Sequence, residues 1–162
     1  MPKDYWTGKS LLSCGLPWLT PGAIDALEKI LNPQSKVVEF GSGGSTVFFS
    51  RRSASVLSWE PNSYWRKLVA AAIAPAKNVH ITKHLENVFM LGPDFDLVLV
   101  DSHHGATNRF KIANRALKLV GPAGHFVLDN YGRYDTSFLE GWKCEKHDDP
   151  HWSGCGTLIA TR

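Results

Sequence analysis

The 162-residue sequence predicts an α/β fold: a doubly wound sheet of seven strands, mostly parallel with an antiparallel last strand, and helices on both faces. Three observations carry this. Short apolar runs suited to buried strands alternate with stretches of helical periodicity, the pattern of parallel strands joined by helical crossovers. The first apolar run, Val37-Val38-Glu39-Phe40, enters a glycine turn, Gly41-Ser42-Gly43-Gly44, and then a new helix. The chain closes on two segments, 142–147 and 157–161, that read as an antiparallel hairpin.

Taken in order, a leader containing Trp and Gly precedes Thr20-Pro21, which caps and opens a helix through Leu31 with Ile24, Leu27, Ile30 and Leu31 on one face. Asn32-Pro33 ends it, because the proline ring biases Asn32 away from helical dihedrals. After the first strand a helix is expected over 47–52, a second strand over 55–59, a helix over 63–74 and a third strand over 79–82. The fourth strand, 97–101, is the strongest strand signal. A long helix over 108–119 should end at Gly121-Pro122, followed by a fifth strand over 124–128 and a short helix near Ser137. One domain is expected over 1–162: a leader and helix over 1–35 covering the sheet or a cofactor, and the core over 36–162. There is no internal repeat or low-complexity segment.

The glycine turn reads as a nucleotide-cofactor site. Gly41 and Gly43 let the backbone turn sharply and approach a ligand, while Ser45 or Thr46 can cap the helix that follows. A dinucleotide fingerprint wants a third glycine where this chain has Thr46. Glu39, two residues before Gly41, would oppose a pyrophosphate but suit a cationic ligand, and S-adenosylmethionine carries a sulfonium and an ammonium group. Glu60, closing the second strand, can accept both hydroxyls of an adenosine ribose, a device shared with NAD proteins.

With the ordered set Glu39-x-Gly41-x-Gly43, Glu60 and Phe95-Asp96-Leu97-Val98-Leu99-Val100-Asp101, the chain from about Lys36 onward resembles the class I S-adenosylmethionine-dependent methyltransferases, distantly the catechol-type O-methyltransferases. The resemblance implies a Rossmann-like core and a cofactor held by Glu39, Gly41, Ser42, Gly43, Gly44, Ser45, Glu60, Glu86 and Asp101, with Glu86 approaching the adenine and Asp101 the methionine end. It further implies that Asp101, Asp129 and Asn130 match a set that holds a divalent cation, magnesium, in the catechol-type enzymes. Here His103-His104 stand where those enzymes more often continue with a lysine-containing segment.

Composition bounds the rest. With 43% hydrophobic and 20% charged residues the chain can bury a core, yet it has no room for a separate substrate domain, which counts against a dehydrogenase. A formal charge of +3 without a run of Lys or Arg gives no clear nucleic-acid footprint. Three cysteines with no CxxC pair speak for reduced thiols and a cytoplasmic protein. Neither a secretion signal nor an apolar run long enough for a membrane span is evident, and a homodimer is compatible with the reading.

Function in such a sheet collects at the carboxyl ends of the strands, where strand order reverses. That rim should carry Glu39 to Ser45, Glu60, Glu86-Asn87, Asp101 to Gly105, Asp129 to Tyr134 and the loop 148–156. Asp101, His103 and His104 are the candidate catalytic residues: a histidine here can take a proton from an attacking hydroxyl or amine at neutral pH. Arg109 is near enough to pair with Asp101 or an acidic substrate. Cys144, His147, His151 and Cys155 match no established zinc spacing. Trp152 and His151 read as pocket walls, and Tyr5, Trp6 and Trp18 as a lid. The expected activity is in-line methyl transfer to an oxygen or nitrogen of a small-molecule acceptor. The alternatives are an NAD-linked or other nucleotide-binding enzyme and a cofactor-binding domain without catalysis.

Overall fold

The structure, a computed structural model, describes residues 8–102, 105–151 and 156–162. Six α-helices, α1 (Gly8–Cys14), α2 (Pro21–Ile30), α3 (Gly44–Ser50), α4 (Ser63–Ala72), α5 (Leu85–Phe89) and α6 (Gly105–Ala116), surround seven strands. The strands are β1 (Lys36–Phe40), β2 (Ser55–Trp59), β3 (Val79–Thr82), β4 (Phe95–Val100), β5 (Val120–Asp129), β6 (Lys143–His147) and β7 (Thr157–Thr161). They form one sheet in the order β3-β2-β1-β4-β5-β7-β6. The pairs from β3 through β5 are parallel, and β7 is antiparallel to both its neighbours.

Alternation along the central strands divides the core into two faces. Val38, Phe40, Val98, Val100, Phe126 and Leu128 pack with α6 residues Ile112, Ala113 and Ala116 and with Val88 of α5. The intervening residues Val37, Val56, Leu97, Leu99 and Val127 turn to the other face, against Ala23 and Leu27 of α2 and Phe48 and Phe49 of α3. A third cluster, Leu12, Val47, Val69 and Ile73, fastens α1 to α3 and α4 beside the β3 edge. The doubly wound fold expected from the sequence is therefore present. Strand order reverses between the parallel neighbours β1 and β4, which opens a crevice above their carboxyl ends.

Several boundaries differ from expectation. The leader, to which no element was assigned, contains α1, seated on α3. Thr20 does not cap α2: its hydroxyl donates to the His147 carbonyl at 2.9 Å and ties the helix to β6. Helix α3 starts at Gly44, earlier than 47, because the turn itself closes into helix. Helix α6 begins at 105, and its last expected turn is a 3-10 turn, Leu117–Leu119. Strand β5 starts at Val120 rather than 124, since a register irregularity opposite Phe95 and Leu97 absorbs Gly121 and Pro122 without breaking the strand. No helix among the described residues is long and apolar enough to cross a membrane.

Candidate functional site

The turn after β1 is built around one buried carboxylate. Glu39 has 0% exposure; its Oε2 accepts the Ser45 hydroxyl at 2.6 Å and its Oε1 accepts the Thr46 hydroxyl. Thr46 Oγ1 in turn accepts the Gly43 N–H at 2.9 Å, so the residue in the third-glycine position closes the helix start by side-chain bonding. Burial pushes the Glu39 carboxyl up to about 7, against the pull of the Ser45, Thr46 and Ser58 hydroxyls. Both its oxygens thus serve the turn from beneath. Glu39, expected to face a cationic ligand from the mouth of the turn, is buried and bonded to the turn's own hydroxyls.

Each glycine has its own reason. Gly41 lies at φ +107°, and a Cβ there would stand 2.7 Å from the Asp101 carbonyl oxygen, so the close approach of β1 and β4 at the crevice demands glycine. Gly44 is excluded from substitution by α1 and the turn after it, since a Cβ would come 2.7 Å from the Leu11 carbonyl oxygen and 2.0 Å from that of Leu16. A Cβ on Gly43 would meet nothing within 4 Å, leaving room for a ligand against this backbone.

Glu60, at the tip of β2, is 8% exposed and joins the turn to the next loop. Its Oε2 accepts the Ser42 N–H at 3.3 Å and its Oε1 the Asn62 N–H at 2.8 Å. Each oxygen keeps a lone pair for a further donor. The Ser42 hydroxyl is 2.5 Å from that of Ser58, and the Trp65 indole Nε1 donates to the Ser42 carbonyl at 2.7 Å. Thr46 closes the helix start as its position suggested, whereas Ser58 and Trp65 are residues of this turn that sequence reasoning missed. For Ser58 the signal was its place opposite Glu39 in the β1/β2 pairing, which only strand register reveals.

Across the crevice, the ends of β4 and β5 bring Asp101, Asp129 and Asn130 together, with Arg109 of α6 among them. The guanidinium is 7% exposed in the residue as a whole. Its Nε donates to the Ser102 carbonyl at 2.7 Å, its Nη1 to the Asp129 carbonyl at 3.3 Å, and its Nη2 lies 3.4 Å from Asp101 Oδ1. Asp129 Oδ1 accepts the Thr157 hydroxyl at 2.9 Å and its Oδ2 accepts the Asn130 amide. Asn130 holds a left-handed conformation, φ 55°, that aims this amide back. Burial, then the neighbouring Asp129, hold Asp101 well above the carboxylate range despite Arg109; burial brings Asp129 up to about 6. The Ser102 hydroxyl is 1% exposed in its residue and has no hydrogen-bond partner among the described residues.

This donor set does not fit magnesium. The Asp129 oxygens and the Asn130 amide are turned onto protein partners, a cation already stands beside Asp101, and no group of three or more His, Cys, Asp or Glu among the described residues is placed to hold a metal ion. Glu86 is exposed on α5, and both its oxygens accept Arg115 at 2.8 and 2.6 Å, which holds its carboxyl below the usual range. An approach to adenine would require that pair to open. On the outer rim the Tyr131 hydroxyl donates to Asp148 Oδ1 at 2.7 Å. His103, His104, Tyr5, Trp6, Trp152 and Cys155 lie outside the described residues.

No protein-family model matches the chain, and no curated protein matches its sequence. Solved structures match its shape. An rRNA methylase from Streptococcus thermophilus aligns with a TM-score of 0.65 at 13% identity, over 84% of this chain and 90% of the other. A precorrin-6y C5,15-methyltransferase from Geobacter metallireducens gives 0.63 at 17%, over 86% of each chain. TYW2 from M. jannaschii, in complex with AdoMet, gives 0.57 at 14%, over 89% of this chain and 76% of the other. The chain has the Rossmann-like fold seen in S-adenosylmethionine-dependent methyltransferases.

Proposed function

We propose that the chain is an S-adenosylmethionine-dependent methyltransferase that methylates an oxygen or nitrogen of a small-molecule acceptor. The observation that carries this reading is the union of Glu60 with the Ser42 N–H at the mouth of an open glycine turn, at the point where strand order reverses. A carboxylate fixed there accepts a ribose diol, and the uncrowded Gly43 backbone receives the methionine portion. The likeness in fold to a methyltransferase and to TYW2 in complex with AdoMet supports the same ligand.

The cofactor supplies an activated methyl group on a sulfonium. The residues of this chain then have three tasks: alignment of donor and acceptor, exclusion of water and removal of one proton. Glu60 and the turn through Ser45 hold one side of the crevice, with Glu86 proposed toward the adenine. Asp101 and the Ser102 hydroxyl, which has no partner among the described residues, stand at the other side, toward the acceptor. His103 or His104, adjoining Asp101, takes the proton. A small acceptor is favoured over nucleic acid because the sequence has no run of Lys or Arg, and the exposed Lys36 and Arg115 are paired with carboxylates.

Calorimetric titration with S-adenosylmethionine, S-adenosylhomocysteine and NAD, with and without magnesium, tests the reading. Micromolar binding of the adenosyl ligands alone is expected. NAD binding would move the site to the nucleotide-enzyme alternative, and binding without turnover on any acceptor would leave a cofactor-binding domain.

A further inference from the structure

We infer that Arg109 is a built-in replacement for a divalent cation: its guanidinium joins the ends of β4 and β5 and makes the acceptor side of the crevice independent of metal. One planar group reaches three points on two loops, the Ser102 carbonyl at 2.7 Å, the Asp129 carbonyl at 3.3 Å and Asp101 Oδ1 at 3.4 Å. A divalent ion bridging these loops would use oxygens from the same residues. Arg109 does so with directed N–H donors, and its fork geometry suits several acceptors at once.

The surroundings reinforce the exchange. A hard divalent cation wants several oxygens turned inward at short range. Here Thr157 and the Asn130 amide cover the two Asp129 oxygens, and the left-handed Asn130 backbone turns an N–H donor toward the position where an oxygen ligand would be needed. A dication entering beside Asp101 would face the guanidinium at close quarters in a buried setting, where like charges repel strongly. The guanidinium is hemmed in, with the Tyr134 ring centroid 6.0 Å from its Cζ.

Arg109 is thereby a positioning residue, holding Asp101 and the Asp129 backbone at a fixed separation. The inference goes beyond methyl transfer and does not need it, because its test reads metal binding by the unliganded chain. Manganese(II), a paramagnetic ion of magnesium-like chemistry, is titrated against the wild-type chain, Arg109→Gln and Arg109→Lys by water-proton relaxation.

The wild type and Arg109→Lys should show no saturable site, whereas Arg109→Gln, which uncovers the acidic group, should bind manganese at least about tenfold more tightly than either. A saturable wild-type site involving Asp101, or a folded Arg109→Gln that binds no better than the wild type, would overturn the inference. A parallel measurement needs no variant. In the 15N-labelled wild-type chain the Arg109 Nε–H resonance should keep its width when manganese is added, and its selective broadening would equally overturn the proposal.

Discussion

Glu39 Oε2 accepts the Ser45 hydroxyl at 2.6 Å, from the end of β1 to the first turn of α3. With the Thr46 bond to the other oxygen, a fully buried carboxylate binds strand to helix across the glycine turn. The turn is therefore ordered before any ligand arrives, which lowers the conformational cost of binding.

That burial has a pH signature. Glu39 titrates near about 7 in the folded chain and near its ordinary 4.5 when unfolded. Between those values the folded state keeps a proton that the unfolded state releases, so this group's stabilisation is fully present below the unfolded value and is lost as pH rises through the folded one. The loss amounts to roughly 3 kcal/mol across the window. Glu39→Gln should flatten the fall in urea midpoint between pH 5 and pH 8, and an unchanged fall would assign the dependence to other groups.

Gly41 and Gly43 should separate stability from binding. Gly41→Ala forces a side chain into φ +107° and against the Asp101 carbonyl, and should cost about 2 kcal/mol or more. Gly43→Ala meets no protein atom within 4 Å, so thermal stability should change little while affinity for S-adenosylhomocysteine drops at least about tenfold. Undiminished affinity in Gly43→Ala would take the ligand away from this backbone.

Glu60→Gln keeps the acceptor for one backbone N–H but loses the charge offered to a ribose diol. Affinity for S-adenosylhomocysteine should fall about tenfold or more with the melting temperature nearly preserved. Wild-type affinity would remove Glu60 from the cofactor site.

Replacing His103 and His104 together by Ala should spare binding of S-adenosylhomocysteine and depress turnover of an identified acceptor by about a hundredfold or more, the usual worth of a positioned base. Full turnover in the double variant would assign the proton to another group, with Asp101 the next to test.

Much of this was legible in one dimension. The apolar runs Val37 to Phe40 and Leu97 to Val100 announce buried parallel strands, and the glycine turn after the first strand marks the crevice. Glu39, within the first apolar strand, and Glu60, Asp101 and Asp129, at or just past the ends of others, were found because a local pattern locates them. Their partners were not. Trp65 reaches the Ser42 carbonyl from a helix over twenty positions on, and Thr157 reaches Asp129 from a strand inserted between two others.

The sequence by itself determined the succession of strands, the two-faced core and where a candidate site would lie, because periodicity and turn chemistry act between near neighbours along the chain. Tertiary structure alone decided what each carboxylate does: Glu39 turns under the loop, Glu86 pairs with Arg115, and Arg109 enters where a metal was expected. A carboxylate takes its role from the donors that surround it, and folding brings those donors from distant parts of the chain.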